Sequence, residues 1–67
     1  MSFLEQYEVW IFENNRWELI AAFFDQDTAS AVAQSRKARV KLIHAKYEDG
    51  QPVSQELIAE IGNIRNE

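Results

Sequence analysis

Apolar residues fall at both odd and even positions of two short runs, Tyr7 to Phe12 (YEVWIF) and Trp17 to Phe24 (WELIAAFF), with polar Glu13, Asn14, Asn15 and Arg16 between them. Both runs are rich in β-branched and aromatic residues and flank a short turn, the pattern of a β-hairpin. A three-residue loop, Glu13-Asn14-Asn15, with Asn15 left-handed, segregates the apolar residues best. It sets Ile11 opposite Trp17, Val9 opposite Leu19 and Tyr7 opposite Ala21, and Phe23 completes that apolar face. The reverse face then carries Glu8, Trp10, Phe12, Glu18, Ile20, Ala22 and Phe24.

The next segment, DQDTASAVAQSRKA, changes period. Ala29, Val32, Ala33 and Arg36 repeat at the i, i+3, i+4, i+7 spacing of one helix face. Asp25 or Asp27 supplies an N-cap, and Arg36 and Lys37 suit the last turn and the helix dipole. Small alanines on that face predict close approach to a sheet, with the bulk supplied by Tyr7, Trp17, Leu19 and Phe23.

A third strand follows over Arg39 to Glu48, where Val40, Leu42 and His44 alternate with Lys41, Ile43, Ala45 and Tyr47. Asp49-Gly50 is a strong two-residue hairpin signal, because both central positions of a type I′ turn need positive φ. The final segment, QPVSQELIAEIGNIRNE, supports two assignments. As a strand, it sets Leu57 opposite Leu42 and Ala59 opposite Val40. As a helix, Ser54 caps it, Val53 staples onto Ile58, and Leu57, Ile58, Ile61 and Ile64 form a stripe. The strand is preferred, because the Asp-Gly turn demands a returning partner and Gly62 weakens a helix interior.

The expected fold class is therefore α+β: one small ββαββ domain over residues 1–67, with a four-stranded antiparallel sheet and one helix on one face. The alternative is ββαβα with a C-terminal helix. A right-handed crossover from the second strand to the third gives the strand order 2-1-3-4. In that arrangement Trp10, Phe12, Ile20, Phe24, Ile43, Tyr47 and Ile58 lie on a face that the central helix does not cover. Such a patch exceeds what a monomer usually exposes, and aromatic residues dominate binding hot spots.

Composition sharpens this expectation. At 46% apolar and 27% charged, 67 residues describe a globular chain with a small core, and without cysteine neither a disulfide framework nor a thiol nucleophile is available. Self-association or a partner protein is the remaining means of completing the core. No signal peptide or membrane span is expected, and the cytoplasm is the parsimonious location.

Candidate chemistry is sparse. A lone His44 and only two glycines leave no triad, phosphate loop or dinucleotide fingerprint, so no catalytic, cofactor-binding or metal-binding residues are assigned. His44 reads as a boundary side chain, Asp25 and Asp27 as caps, and Glu48 and Asp49 as turn residues. Net charge is −4, yet Arg36, Lys37, Arg39, Lys41 and Lys46 form a basic band without an acid among them.

Three functions follow. The favoured one is a non-enzymatic protein-interaction module, a homodimer or a subunit docked on a larger protein. Trp10, Phe12, Ile20, Phe24, Ile43 and Tyr47 would form its contact, with Glu8, Glu18 and Lys41 as its polar edge. The alternatives are an acidic inhibitor occupying a nucleic-acid-binding site of a partner, and a weak nucleic-acid binder using the basic band. Overall negative charge weighs against the latter.

Overall fold

The computed structural model describes residues 2–36 and 38–61. The element order is β1 (Phe3–Glu13), β2 (Arg16–Phe23), α1 (Gln26–Ser35), β3 (Val40–Glu48) and β4 (Gln51–Ile61). The four strands form one antiparallel sheet in the order β2-β1-β3-β4, so the fold is the expected ββαββ. Through Ile61 the last segment is a strand, which overturns the helical alternative for Ser54 to Ile61; its remaining positions lie outside the described residues.

The turn between β1 and β2 has two residues rather than three. Asn14 and Asn15 have φ of 55° and 63°, as a type I′ turn requires, and Glu13 pairs with Arg16. This shift of one residue reverses the expected facing of the first half of β2. Trp17 now pairs with Phe12 and Leu19 with Trp10, so both lie on the face away from the helix. A β-bulge at Ile20 then restores Ala21 and Phe23 to the helix side, opposite Val9 and Tyr7. Trp17 and Leu19 thus supply none of the bulk expected under α1.

The β3–β4 hairpin starts in the expected register. Asp49 and Gly50, with φ of 52° and 84°, make its turn, and Glu48 pairs with Gln51. Two bulges shift the pairing further along, leaving Val53 and Ile58 without direct partners. Leu42 consequently faces Ala59, not Leu57, and Val40 faces Ile61, not Ala59. Each bulge adds one residue to β4, so the first turns Leu57 outward opposite Ile43 and the second returns Ala59 and Ile61 to the helix side.

Helix α1 starts at the Asp25 cap, whose carboxylate accepts from the Thr28 backbone N–H and hydroxyl, both at 2.8 Å. That pairing, chiefly the backbone donor, holds the Asp25 carboxyl below its ordinary pKa. The helix ends at Ser35 with Arg36 as its C-cap, so Arg36 does not belong to its last turn. Arg36 is extended and its N–H reaches the Ala33 carbonyl, while the Ser35 hydroxyl donates to the Val32 carbonyl. Those two bonds occupy carbonyls that a continuing helix would use. Lys37 lies outside the described residues.

Ala29 and Ala33 are fully buried against Val9, Val40 and Leu42, with Tyr7, Ile11, Ala21, Phe23, Val32 and Ile61 packed around them. A ten-residue helix is about 15 Å long, against about 36 Å for an eleven-residue strand, so α1 covers less than half of the sheet's length. It packs on β1, β2 and β3.

Candidate functional site

Cross-strand partners share a face, so the pairings define the open side of the sheet. Gln6, Glu8, Trp10 and Phe12 of β1 lie beside Trp17 and Leu19 of β2 and beside Lys41, Ile43, Ala45 and Tyr47 of β3. Among the described residues no helix or strand lies over this side. Four of the expected contact residues, Trp10, Phe12, Ile43 and Tyr47, are brought together there. Ile20 sits at the β2 bulge, and Phe24 follows the end of β2 at the rim, 77% exposed.

The centre of this face is a carboxylate. Glu8 is only 1% exposed although no other element covers it, because its neighbours fold over it. One oxygen, Oε1, accepts from Trp10 Nε1 at 3.0 Å. The other, Oε2, accepts from Gln6 Nε2 at 2.9 Å and from the Tyr47 hydroxyl at 2.7 Å. Burial pushes the Glu8 pKa up, but the three donors, Tyr47 first, outweigh it and hold the group below its ordinary value of 4.5. The same bond raises the Tyr47 pKa, because the phenol would surrender its proton beside a carboxylate.

This network ties the central side chains into one orientation. Trp10 and Tyr47 each spend a polar atom on Glu8, so their rings are held over the sheet without an unpaired N–H or O–H. Glu8 was expected at the polar edge of the contact; it lies at the middle. The sequence did hold a signal, the polar-polar-aromatic run Gln6, Glu8 and Trp10 at the i, i+2 spacing of one strand face. Glu18, the second expected edge acid, pairs instead with Ile11 on the helix side and bonds Arg16 Nε at 2.8 Å.

Toward the β1–β2 turn the face becomes aromatic and cationic. The Phe12 and Trp17 rings meet edge-on at 5.3 Å between centroids. Lys41 Nζ stands 4.3 Å from the Trp17 centroid and 5.7 Å from that of Trp10. The Arg39 guanidinium stands 5.4 Å from Trp17 and 5.5 Å from Phe12, within cation–π range, while its Nε reaches Glu60 Oε2 at 2.6 Å.

The basic band does not assemble as one surface. Arg39 and Lys41 join the aromatic corner, but Lys46 pairs with Glu5 and Ser54 on the opposite face, and Arg36 is exposed beyond α1. His44 also lies on that opposite face, stacked on Tyr7 at 4.6 Å and with Nε2 2.8 Å from Glu5 Oε1. Its cross-strand partners are Tyr7 and Glu56.

At the other end of the open face, Ser2, Leu4, Gln6, Tyr47 and Gly50 line a shallow groove of about 350 Å³. Its floor is fixed by the Glu8 network through Gln6 and Tyr47, and its rim by mutual bonds between Ser2 and Asp49 at 2.8 Å.

No family model, curated protein or solved structure matches this chain. Among the described residues no group of three or more histidine, aspartate or glutamate side chains is placed to hold a metal ion, and no helix is long and apolar enough to cross a membrane.

Proposed function

We propose that this chain is a non-catalytic association module that pairs with a second copy of itself through the open sheet face. The observation that carries this reading is the gathering of Trp10, Phe12, Trp17, Ile43 and Tyr47 on a side that no described element covers. Four strands about 4.8 Å apart, two of eleven residues and two of eight and nine, present roughly 600 Å², of the order of the roughly 800 Å² each partner contributes to a stable interface.

Charge favours a second copy over a basic or acidic partner. Arg39 and Lys41 on the open side are balanced by Glu60 and the buried Glu8, so this side is near neutral in a chain of net charge −4. Two like-charged copies meet at least cost on a neutral face. The sheet edges are poorer candidates. β2 carries a bulge, and β4 carries two bulges and Pro52, devices that discourage edge-to-edge pairing.

The nucleic-acid reading has less support. Two cations on this face are committed to rings and to Glu60, while Lys46 lies on the opposite face and Arg36 follows the end of α1. Sedimentation velocity tests the proposal: a dimer at micromolar concentration is expected, converted to monomer by Trp10→Ala. A wild-type monomer up to hundreds of micromolar would sink it.

A further inference from the structure

The groove beside the β3–β4 turn is built around one ring. Tyr47 pairs with Leu4 and Glu8 with Ile43, two rows that stand four residues, about 13 Å, apart along the strands. The Tyr47 hydroxyl nevertheless donates to Glu8 Oε2 at 2.7 Å, so its side chain must run along the sheet rather than stand away from it. Ala45, midway between on the same face, is fully buried although no described element lies over that side. The ring therefore lies over Ala45, one face on the sheet and the other outward. Around that outer face the groove holds about 350 Å³, within the range of small-ligand sites. Its walls are set before any ligand arrives. Gln6 Nε2 donates to Glu8 Oε2 at 2.9 Å, and Ser2 and Asp49 are tied by two bonds of 2.8 Å.

The chemistry of the lining narrows the ligand. Because Gln6 Nε2 is turned to Glu8, its Oε1 is left to accept, and the Ser2 hydroxyl has no partner among the described residues. Gly50, at φ of 84°, has nothing within 4 Å of where a Cβ would stand, so its backbone is open to a ligand. Leu4 and the Tyr47 ring supply apolar walls. The two rows that cross this end of the face, Gln6–Ala45–Gln55 and Leu4–Tyr47–Pro52, hold no charged side chain. An anion would meet no cation here and would face Asp49 at the rim, while a cation would find no carboxylate oxygen in the lining. An uncharged ligand with one apolar face and hydroxyls at its edge matches every one of these groups. We infer that the groove binds an uncharged sugar ring, its C–H face stacked on the outer face of Tyr47 and its hydroxyls bonded to Gln6 Oε1 and Ser2. The C–H groups of a pyranose are slightly positive and meet the negative face of the aromatic ring. Glu8 acts at one remove, as the positioning residue that lays Tyr47 flat and turns Gln6. The lining comes from a single chain, so the site does not rest on the self-association proposed above.

Nuclear magnetic resonance titration of the full chain with D-glucose, D-galactose and N-acetyl-D-glucosamine tests the site. At least one sugar is expected to shift the Gln6 side-chain amide and the Gly50 amide saturably, with a Kd of about 1–10 mM. The 6-phosphate of that sugar should bind about ten-fold less tightly. Leu4→Trp fills the groove from an exposed position without touching Glu8, and should abolish the shifts while leaving urea unfolding unchanged. Tyr47→Phe keeps the ring but removes the bond that lays it flat, and should weaken binding about three-fold to ten-fold. Undiminished binding by both variants would overturn the inference, and so would tighter binding of uridine than of any sugar, which would point to a flat heterocycle instead. A dimer that covered the groove would mask it, so the titration is repeated on Trp10→Ala. Absence of a saturable shift in either chain up to about 100 mM sugar defeats the site, whereas binding by a wild-type chain that sediments as a monomer defeats only self-association.

Discussion

On the helix side of the sheet, Val9, Val40 and Leu42 are sealed by Ala29 and Ala33, and every contact in that cluster is apolar. On the other side, the most deeply buried large side chain is the carboxylate of Glu8, sealed by Gln6, Trp10 and Tyr47 from its own sheet face. One face is closed by a separate element brought from 20 residues away in the chain, and the other closes only its centre, by neighbours bonding sideways. Covering by an element removes whole side chains from water and yields packing energy. Covering by neighbours satisfies polar atoms, yet leaves Trp10, Phe12 and Trp17 only half-buried, beside Arg39 and Lys41, on a side that no described element covers. The first kind of burial stabilises the fold, and the second fixes the orientation of the side chains on the uncovered face.

That contrast is open to direct attack. The largest expected effect is at Leu42, 1% exposed beneath the helix. Leu42→Ala should cost about 3 kcal/mol in urea unfolding, enough to populate unfolded chain in a domain of this size. A loss under about 1 kcal/mol would mean that the helix side is not where folding energy resides.

Next, Trp10→Ala should weaken dimerisation by about 2 kcal/mol, roughly 30-fold in Kd, while changing the unfolding of dilute monomer less than Leu42→Ala does. Equal effects of the two substitutions on monomer stability would erase the distinction between the faces.

A smaller effect is expected at Glu8. Glu8→Gln offers one acceptor where Trp10, Gln6 and Tyr47 present three donors, and should cost about 1–2 kcal/mol. Its pKa is lower in the fold than the ordinary 4.5, so the folded state binds the proton less readily than the unfolded state. The stabilisation is therefore complete above pH 4.5 and lost as pH falls through the folded value. In Glu8→Gln the acid limb of the stability profile should flatten; an unchanged limb would show that other carboxylates set it.

The smallest effect concerns the turn that assigns residues to faces. Asn15 has φ of 63°, a conformation that a β-branched side chain opposes. Asn15→Val should cost about 1 kcal/mol by urea titration, whereas a gain in stability would indicate that the turn and its register differ from those described here.

Strand and helix positions, their order and the type I′ turn at Asp49-Gly50 were all legible in the chain, because they rest on local period and on turn residues with restricted φ. The open face was legible in its central members, Trp10, Phe12, Ile43 and Tyr47. The facing of Trp17 and Leu19 was not. A turn shorter by one residue and a bulge at Ile20 each reverse the facing of β2, so Ala21 and Phe23 end on the side a longer loop would also have given them, but two residues along, with Ala21 opposite Val9 rather than Tyr7. Apolar pattern alone cannot separate these solutions, since β2 is apolar on both sides for most of its length.

By itself, then, the sequence determined the sheet, the helix, their order and the surplus of apolar β-surface, because hydrophobic period and positive-φ residues act within a few positions of the chain. Tertiary structure alone decided the bulges in β2 and β4, the pairing of Arg39 and Lys41 with the aromatic rings, and the burial of Glu8. The ring–cation contacts and the Glu8–Tyr47 bond join side chains 22 to 39 residues apart, and the bulges sit where hydrogen bonds and packing choose among registers that the local pattern leaves equal.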